Sequence, residues 1–175
     1  MSAILYTVLV VLVGLERLAE LLVSRRNAAW AMARGGVETG QGHYPVMVVL
    51  HTGLLVGCVV EVWLADRMFV PALGWSMLAL VVGCQVLRWW CIGTLGRRWN
   101  TRVIVVPGMA LVASGPYRFL RHPNYVAVVV EGAALPLVHG AWITAAVFTM
   151  ANAALLTVRL REEQRALSAA STVSA

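Results

Sequence analysis

The sequence predicts an all-α fold, a polytopic membrane bundle of about five helices in a single domain covering residues 1–175. Three observations predict it: 60% of the residues are hydrophobic, only 13% are charged, and the mean hydropathy is +0.78. This composition excludes an ordinary soluble domain. The apolar residues also fall in runs, several of which reach the roughly 20 residues that a helix needs to cross a bilayer.

Five apolar runs give the expected spans. They cover residues 4–23, 46–64, 70–92, 125–138 and 141–158. The first run lacks a positively charged leader, so we expect a retained helix rather than a cleaved signal peptide. The last two runs are short, and only His139 and Gly140 separate them. They predict a tight helical hairpin whose first arm barely crosses the bilayer or stops short of the far interface.

The distribution of arginine predicts the orientation of the bundle. The chain has no lysine, and three, five and three of its 14 arginines lie in residues 25–34, 97–121 and 159–165. By the positive-inside rule, the N-terminus is outside and the C-terminus cytosolic, in a plasma (inner) membrane. Anionic headgroups explain most of the net charge of +6, so membrane lipids are expected partners. Nucleic acid is not expected, because these arginines lie beside the membrane rather than over a soluble face.

The cysteines and tryptophans have simple interpretations. The cysteines lie in the second and third spans without metal-ligand spacing, so we predict buried core residues and no metal site; they are Cys58, Cys84 and Cys91. Three tryptophans near the predicted cytosolic boundary are typical of interfacial anchors; they are Trp89, Trp90 and Trp99.

Ionisable residues inside the spans are more informative. Six of them lie in the half that we predict to be cytosolic: Glu16, Arg17, Glu20, His51, Arg88 and Glu131. The spacing of Glu16, Arg17 and Glu20 allows local ion pairs on one helix. An unpaired Glu131 carboxylate at this depth would cost several kcal/mol, so we expect it to meet a partner such as Arg17, to be protonated, or to face a wet cavity. His51 either bonds within the bundle or acts as a base.

The segment of residues 93–124 is too long and too mixed for a simple connector, which predicts irregular backbone folded against the bundle. Pro123 fits the first turn of the fourth helix, which would place His122 near its N-cap. The positive end of that helix favours a bound anion.

Two motifs in the C-terminal half resemble those of the isoprenylcysteine carboxyl methyltransferase family. They are Gly-Pro-Tyr-Arg-Phe-Leu-Arg-His-Pro-Asn-Tyr at residues 115–125 and Arg-Leu-Arg-Glu-Glu-Gln at residues 159–164. The family consists of integral membrane enzymes that use S-adenosylmethionine. The resemblance implies a cofactor-binding module at residues 93–175, with residues 1–92 on the acceptor side. The implied cofactor-binding residues are Gly115, Pro116, Tyr117, Arg118, Arg121, His122, Pro123, Asn124, Tyr125, Arg159, Glu162 and Glu163, and either Glu162 or Glu163 can be the functional acid.

The N-terminal half resembles a bacterial subgroup associated with type III polyketide synthases, in the segments 16–20, 24–27, 36–38 and 43–45. That subgroup methylates alkylpyrones or alkylresorcinols. We therefore expect an S-adenosylmethionine-dependent O-methyltransferase whose lipophilic acceptor enters from the bilayer. The expected acceptor is the hydroxyl of an alkylpyrone or alkylresorcinol, or else a prenylcysteine-like carboxylate. Glu131, His51 and Arg17 are the expected catalytic residues. An NADPH-dependent membrane reductase of the sterol reductase type and a non-catalytic scaffold are the alternatives, and the oligomeric state is open.

Overall fold

Helices account for most of residues 1–173, the part of the chain that the computed structural model describes. Within those residues, the helices are α1 (Ala3–Met32), α2 (Tyr44–Leu64), α3 (Pro71–Leu95), α4 (Pro123–Leu137) and α5 (Trp142–Val173). Successive helices cross the bundle in alternating directions, so every second connection lies at the same end. The predicted all-α membrane bundle is confirmed.

Three of these helices are long and apolar enough to cross a membrane by length and composition. In the described part of the chain they are Tyr44–Leu64, Pro71–Arg98 and Trp142–Arg165. The other two differ for separate reasons. The apolar part of α1 carries three charged residues, whereas α4 has 15 residues and is about 22 Å long against a hydrocarbon core of about 30 Å. The fourth span is thus as short as the sequence predicted.

A two-stranded antiparallel sheet lies at the arginine-rich end of the bundle, the end that carries residues 25–34, 97–121 and 159–165. Strand β1 (Val37–Thr39) pairs with β2 (Val103–Val105) and so joins the α1–α2 connection to the α3–α4 connection. Gly36 permits the close return of β1 onto α1, since a Cβ there would lie 2.7 Å from the carbonyl oxygen of Ala31. The sequence predicted only irregular backbone here.

Buried polar contacts hold the C-terminal half of α1, which we predict to be cytosolic, against the segment after α3. The Asn27 amide donates to the carbonyl oxygens of Gly96 at 3.1 Å and Trp99 at 2.7 Å. The Ser24 hydroxyl donates to Asn100 Oδ1 at 2.7 Å. Because α1 continues to Met32 rather than ending near residue 23, these side chains reach the loop that forms one wall of the site.

The hairpin between α4 and α5 forms at the opposite end, as predicted. Gly140 adopts a φ of 70°, which favours glycine in the turn. Glu61 of α2 accepts hydrogen bonds from the backbone N–H groups of Ile143 and Thr144 at 3.1 and 2.7 Å, and so caps the start of α5. The predicted burial of the three cysteines is also confirmed: Cys58, Cys84 and Cys91 are all buried and free.

Candidate active site

The first turn of α4 has the predicted local structure. Pro123 lies in the first turn, and His122 occupies the N-cap position. The side chain of His122 makes no capping hydrogen bond; its ring stacks on that of Tyr125, with centroids 5.3 Å apart and planes 14° from parallel. Pro123 has no N–H, and those of Tyr125 and Val126 bond the carbonyl oxygen of His122 at 3.1 and 3.3 Å, so the positive dipole of this helix end is what favours an anion here.

A polar cluster joins this turn to the arginine-rich part of α5. The Tyr125 hydroxyl donates to Glu163 Oε2 at 2.5 Å and accepts from Arg159 Nε at 3.0 Å. Glu163 Oε1 lies 3.8 Å from His122 Nδ1. Arg159 also donates to the carbonyl oxygen of Thr101 at 2.7 Å, which connects α5 to the loop before β2. Three separate segments of the chain therefore hold one group of side chains.

This polar cluster forms one wall of a cavity of about 670 Å³ at the arginine-rich end. Most of the cofactor-binding residues implied by the sequence line the cavity: Tyr117, Arg121, His122, Pro123, Asn124, Tyr125, Arg159 and Glu163. They come from the 3₁₀ turn at Gly115–Arg118, the short segment between that turn and α4, the start of α4, and the arginine-rich part of α5. The volume lies within the range of about 300–1,000 Å³ that is usual for small-molecule sites.

The remaining implied residues lie outside the cavity wall. Glu162 pairs with Arg165 at 2.8 Å instead, so Glu163 is the acid that faces the cavity. Arg118 is exposed, and Pro116 is buried under the turn. Gly115 has a φ of 56°, and a Cβ there would collide with the side chain of Thr94.

Gly115 and Pro116 therefore act on the cavity through the backbone that carries Tyr117. Burial raises the pKa of the Tyr117 hydroxyl well above its usual value. The phenol consequently stays protonated and can serve as a donor at the cavity wall.

The opposite wall is mostly apolar and was not predicted from the sequence. It includes residues 103–106 and 109–113, together with Trp30, Leu95 and Trp99. The prediction that Trp99 is an interfacial anchor was wrong: its side chain is 3% exposed and lies in the cavity wall. Asn27 anchors the Trp99 backbone and draws this residue inward, a long-range contact with no local sequence signal. Trp89 and Trp90 are exposed, as interfacial residues would be.

Two buried polar atoms on cavity residues lack partners in the described part of the chain. They are the donor Trp99 Nε1 and the acceptor Asn124 Oδ1. Buried polar groups are nearly always hydrogen-bonded, so a donor and an acceptor left open beside a cavity fit a ligand that offers both. S-adenosylmethionine does so through its adenosine and its amino-acid group. The acidic Glu163 and the basic Arg121 complement the ammonium and carboxylate of that amino-acid group.

A second polar group is buried deeper in the bundle, around Glu131. Both oxygens of this carboxylate lie 3.0 Å from Arg17 Nη2, and Oε2 also contacts Arg88. Arg17 pairs further with Glu20 at 2.7 Å and with Glu16 at 3.1 Å. The prediction that Glu131 meets Arg17 is confirmed, as are the local ion pairs on α1. The network ties α1 to α3 and α4.

Gln85 is a member of this network that sequence reasoning missed. Its Nε2 donates to Glu131 Oε1 at 3.1 Å, and its Oε1 accepts from Arg17 at 2.9 Å. A neutral glutamine in an apolar run gives no signal at the sequence level. Its position three residues before Arg88, on the same face of α3, is the one pattern that would have found it.

His51 lies beside the buried network. Its Nδ1 is 2.8 Å from the carbonyl oxygen of Met47, so Nδ1 donates and Nε2 is the acceptor in the neutral ring. The ring packs edge-on against Phe148, with centroids 5.3 Å apart. His51, Arg17, Arg88 and Glu131 line a small cavity of about 20 Å³, enough for one water molecule.

The two cavities are close along α4. Glu131 follows Tyr125 by six residues, which corresponds to about 9 Å along the helix axis. The large cavity thus lies at the arginine-rich end, and the buried charged residues lie directly below it in the bundle. This arrangement defines a membrane helical-bundle protein with a cofactor-sized cavity above a polar group in its core.

Comparison with known proteins identifies the family to which this chain belongs. The model of the isoprenylcysteine carboxyl methyltransferase family matches residues 77–169, more than half of the chain. The chain belongs to this family, and with it to the membrane methyltransferases. This assignment favours methyl transfer over the reductase and scaffold alternatives.

Two bacterial proteins are similar to this chain over most of its length. The uncharacterized protein YpbQ of Bacillus subtilis (strain 168) is 35% identical over 164 residues, which are 93% of this chain and 96% of that protein. An uncharacterized protein of Haemophilus influenzae is 23% identical over 153 residues, covering 87% of this chain and 88% of that one.

The fold also matches a solved structure, that of the eukaryotic intramembrane Ras methyltransferase isoprenylcysteine carboxyl methyltransferase. The TM-score is 0.53 at 23% identity, and the match covers 71% of this chain. The matched part is 46% of the eukaryotic chain. At this identity the likeness concerns the fold.

Proposed function

We propose that this protein is an integral membrane O-methyltransferase that takes its methyl group from S-adenosylmethionine and acts on a lipophilic acceptor. The acceptor that we favour is the hydroxyl of an alkylpyrone or an alkylresorcinol. One observation carries the proposal: the cavity at the foot of α4 combines the Tyr125–Glu163–Arg159 cluster with the unpartnered Trp99 and Asn124 atoms. Such a site suits a polar nucleoside cofactor at the edge of an apolar bundle.

The cofactor, when bound, supplies a methyl group on a positively charged sulfur. In our proposal, Arg121, His122 and the N-terminal end of α4 hold its carboxylate. Glu163 holds the ammonium group or the ribose hydroxyls. The aromatic faces of Tyr117 and Tyr125 attract the sulfonium through cation–π contact.

The acceptor reaches the site from the lipid, in keeping with the many apolar side chains exposed on the bundle surface. Its alkyl chain stays among apolar residues, while its polar ring lies between the two cavities. There, His51 Nε2 would take the proton of the hydroxyl, and the oxygen would accept the methyl group as the bond between the methyl carbon and sulfur breaks, so that the cofactor leaves as a neutral thioether. Arg17 and Arg88 stabilise the negative charge that develops on this oxygen, and Glu131 fixes both guanidinium groups.

The orientation that we propose from the arginine distribution determines the side of the membrane from which the cofactor enters. The cavity lies at the arginine-rich end, which the positive-inside rule assigns to the cytosol. A water-soluble cofactor would enter there, and the greasy acceptor would approach sideways through the bilayer.

Purified protein with methyl-labelled S-adenosylmethionine tests this function. We expect label to pass to a long-chain alkylpyrone or alkylresorcinol faster than to a farnesylated cysteine. Short-chain analogues should be poor acceptors, because each buried methylene contributes roughly 0.8 kcal/mol. A preference for farnesylated cysteine would contradict the acceptor assignment and leave methyl transfer intact.

A further inference from the structure

Residues 106–113, which we call the apolar segment, have no role in the fold or in the proposed chemistry. Their sequence, Val-Pro-Gly-Met-Ala-Leu-Val-Ala, contains no charged or hydrogen-bonding side chain, although arginines lie before and after it in the chain. Most of the segment lines the large cavity. It is also open to the outside, because Met109 is 36% exposed and Leu111 is 78% exposed. Contiguous exposed apolar residues mark an interaction surface.

Two more exposed apolar side chains follow the segment, and their level in the bundle can be read from a contact. Phe119 and Leu120 are 73% and 42% exposed and come directly after the 3₁₀ turn at Gly115–Arg118. This turn packs against the end of α3, since a Cβ at Gly115 would lie 3.2 Å from Trp90 Nε1. Trp90 is itself half exposed. Exposed tryptophans near the ends of membrane helices lie at the level of the lipid headgroups, so the turn and Phe119 lie there too.

The charges around the apolar segment complement an anionic surface. Arg97, Arg98 and Arg118 are exposed, and none of the ion pairs formed by the described residues involves them. The Arg98 guanidinium donates to the carbonyl oxygen of Ala110 at 2.8 Å, which holds a positive charge at the segment itself. Arg118 lies 5.9 Å from the ring centroid of Phe119. Apolar side chains beside basic ones are typical of segments that bind the surface of anionic membranes.

The backbone limits how deep the apolar segment can lie. It is irregular, with a turn in which Gly108 has a φ of 76°. Irregular backbone does not occur exposed to lipid within the hydrocarbon core, because its N–H and C=O groups would lack partners there. Water and headgroup oxygens can satisfy these groups at the boundary between the headgroups and the acyl chains. The segment therefore fits that boundary rather than the interior of the bilayer.

We infer that the apolar segment and Phe119 insert into the boundary between headgroups and acyl chains in the leaflet at the arginine-rich end. The partner is an anionic lipid surface, whose headgroups the exposed arginines contact. The apolar wall of the large cavity then borders the acyl chains, so an alkyl chain can reach the cavity from this leaflet without crossing water. That last consequence rests on the proposed function, whereas the insertion does not.

Nitroxide labels on single cysteines test the insertion, because the natural cysteines are buried. The labels are placed in Leu111→Cys and Phe119→Cys, with Gln41→Cys as the control at an exposed polar position of the same end. The proteins are reconstituted in nanodiscs of phosphatidylcholine and phosphatidylglycerol. Electron paramagnetic resonance then compares collisions with oxygen, which concentrates among acyl chains, and with a nickel chelate, which stays in water. We expect the ratio of oxygen to nickel collisions to be several-fold higher at positions 111 and 119 than at 41.

Nanodiscs of phosphatidylcholine alone test the contribution of the arginines. The ratio at position 111 should fall in them, since the anionic headgroups are gone. An unchanged ratio would contradict the choice of an anionic surface as the partner.

Two results would overturn the insertion as a whole. The first is nickel access at positions 111 and 119 equal to that at 41. The second is shielding of both positions from oxygen and nickel alike, which would mean that a protein surface covers the segment. Neither measurement needs a cofactor or an acceptor, so these results would leave the proposed function standing. A folded protein that binds no S-adenosylmethionine would overturn the proposed function and leave the insertion intact.

Discussion

The Tyr125 hydroxyl donates a 2.5 Å hydrogen bond to Glu163, a residue 38 positions later in the chain. The same hydroxyl accepts from Arg159, so the first turn of α4 and the arginine-rich part of α5 share one polar group. A wall assembled from hydrogen bonds between rigid helices is fixed before any ligand arrives. Such preorganisation lowers the entropy that binding would otherwise lose.

Replacing Glu163 by Gln should weaken S-adenosylmethionine binding by about tenfold or more. The variant would lose the charge-assisted hydrogen bond between the Glu163 carboxylate and the cofactor, and such a bond contributes about 1.5–3 kcal/mol. Glu162→Gln is the matched control, because Glu162 pairs with Arg165 and both side chains lie outside the cavity wall. Titration calorimetry on both purified variants measures the difference, and equal losses in the two would argue against the assignment of the acid.

Replacing Glu131 by Ala should destabilise the bundle by about 3–5 kcal/mol. The change would leave the guanidinium groups of Arg17 and Arg88 buried without this carboxylate. Glu38→Ala, which breaks a partly exposed pair with Arg102, should cost less than about 1 kcal/mol. Unfolding in mixed micelles compares the two variants, and similar midpoints would show that the buried network contributes little to stability.

The orientation of the chain can be tested with single cysteines, because the three natural ones are buried. A cysteine at Gln41 should be shielded from an impermeant thiol reagent in intact cells. One at Asp66, between α2 and α3, should be labelled, since the arginine distribution puts that connection outside. Labelling at position 41 but not at 66 would reverse the proposed topology.

His51→Ala should slow methylation of a phenolic acceptor about a hundredfold and affect an acidic pyrone enol far less. Only the phenol needs help to lose its proton near neutral pH, and general-base groups contribute about 10²–10⁴ in rate. His51→Phe, which keeps a ring against Phe148, controls for lost packing. If both acceptors slow equally in both variants, the role of His51 is structural.

Local sequence signals predicted much of this protein. Apolar runs predicted the five helices, of which three in the described part of the chain are long and apolar enough to cross a membrane. The Pro123 signal predicted the start of α4, and the depth of Glu131 predicted a charged partner; both are confirmed. Each of these depends on a residue and its near neighbours or on the cost of burying a charge.

Contacts between distant segments could not be predicted in this way. Three-residue strands are too short for a periodic pattern, so the pairing of β1 with β2 had no signal. The burial of Trp99 depends on Asn27, 72 positions away. The hydrogen bond between Gln85 and Glu131 likewise joins residues that are far apart in the sequence. The choice between Glu162 and Glu163 depends on the direction of their side chains on α5, which the sequence alone does not give.

Binding of S-adenosylmethionine to the purified wild-type protein tests the central claim most directly. The account predicts saturable binding of about one molecule per chain in detergent, weakened about tenfold or more in Glu163→Gln and unaffected by an excess of NADPH. A folded protein that binds NADPH instead, or that shows no saturable uptake of S-adenosylmethionine, would contradict it.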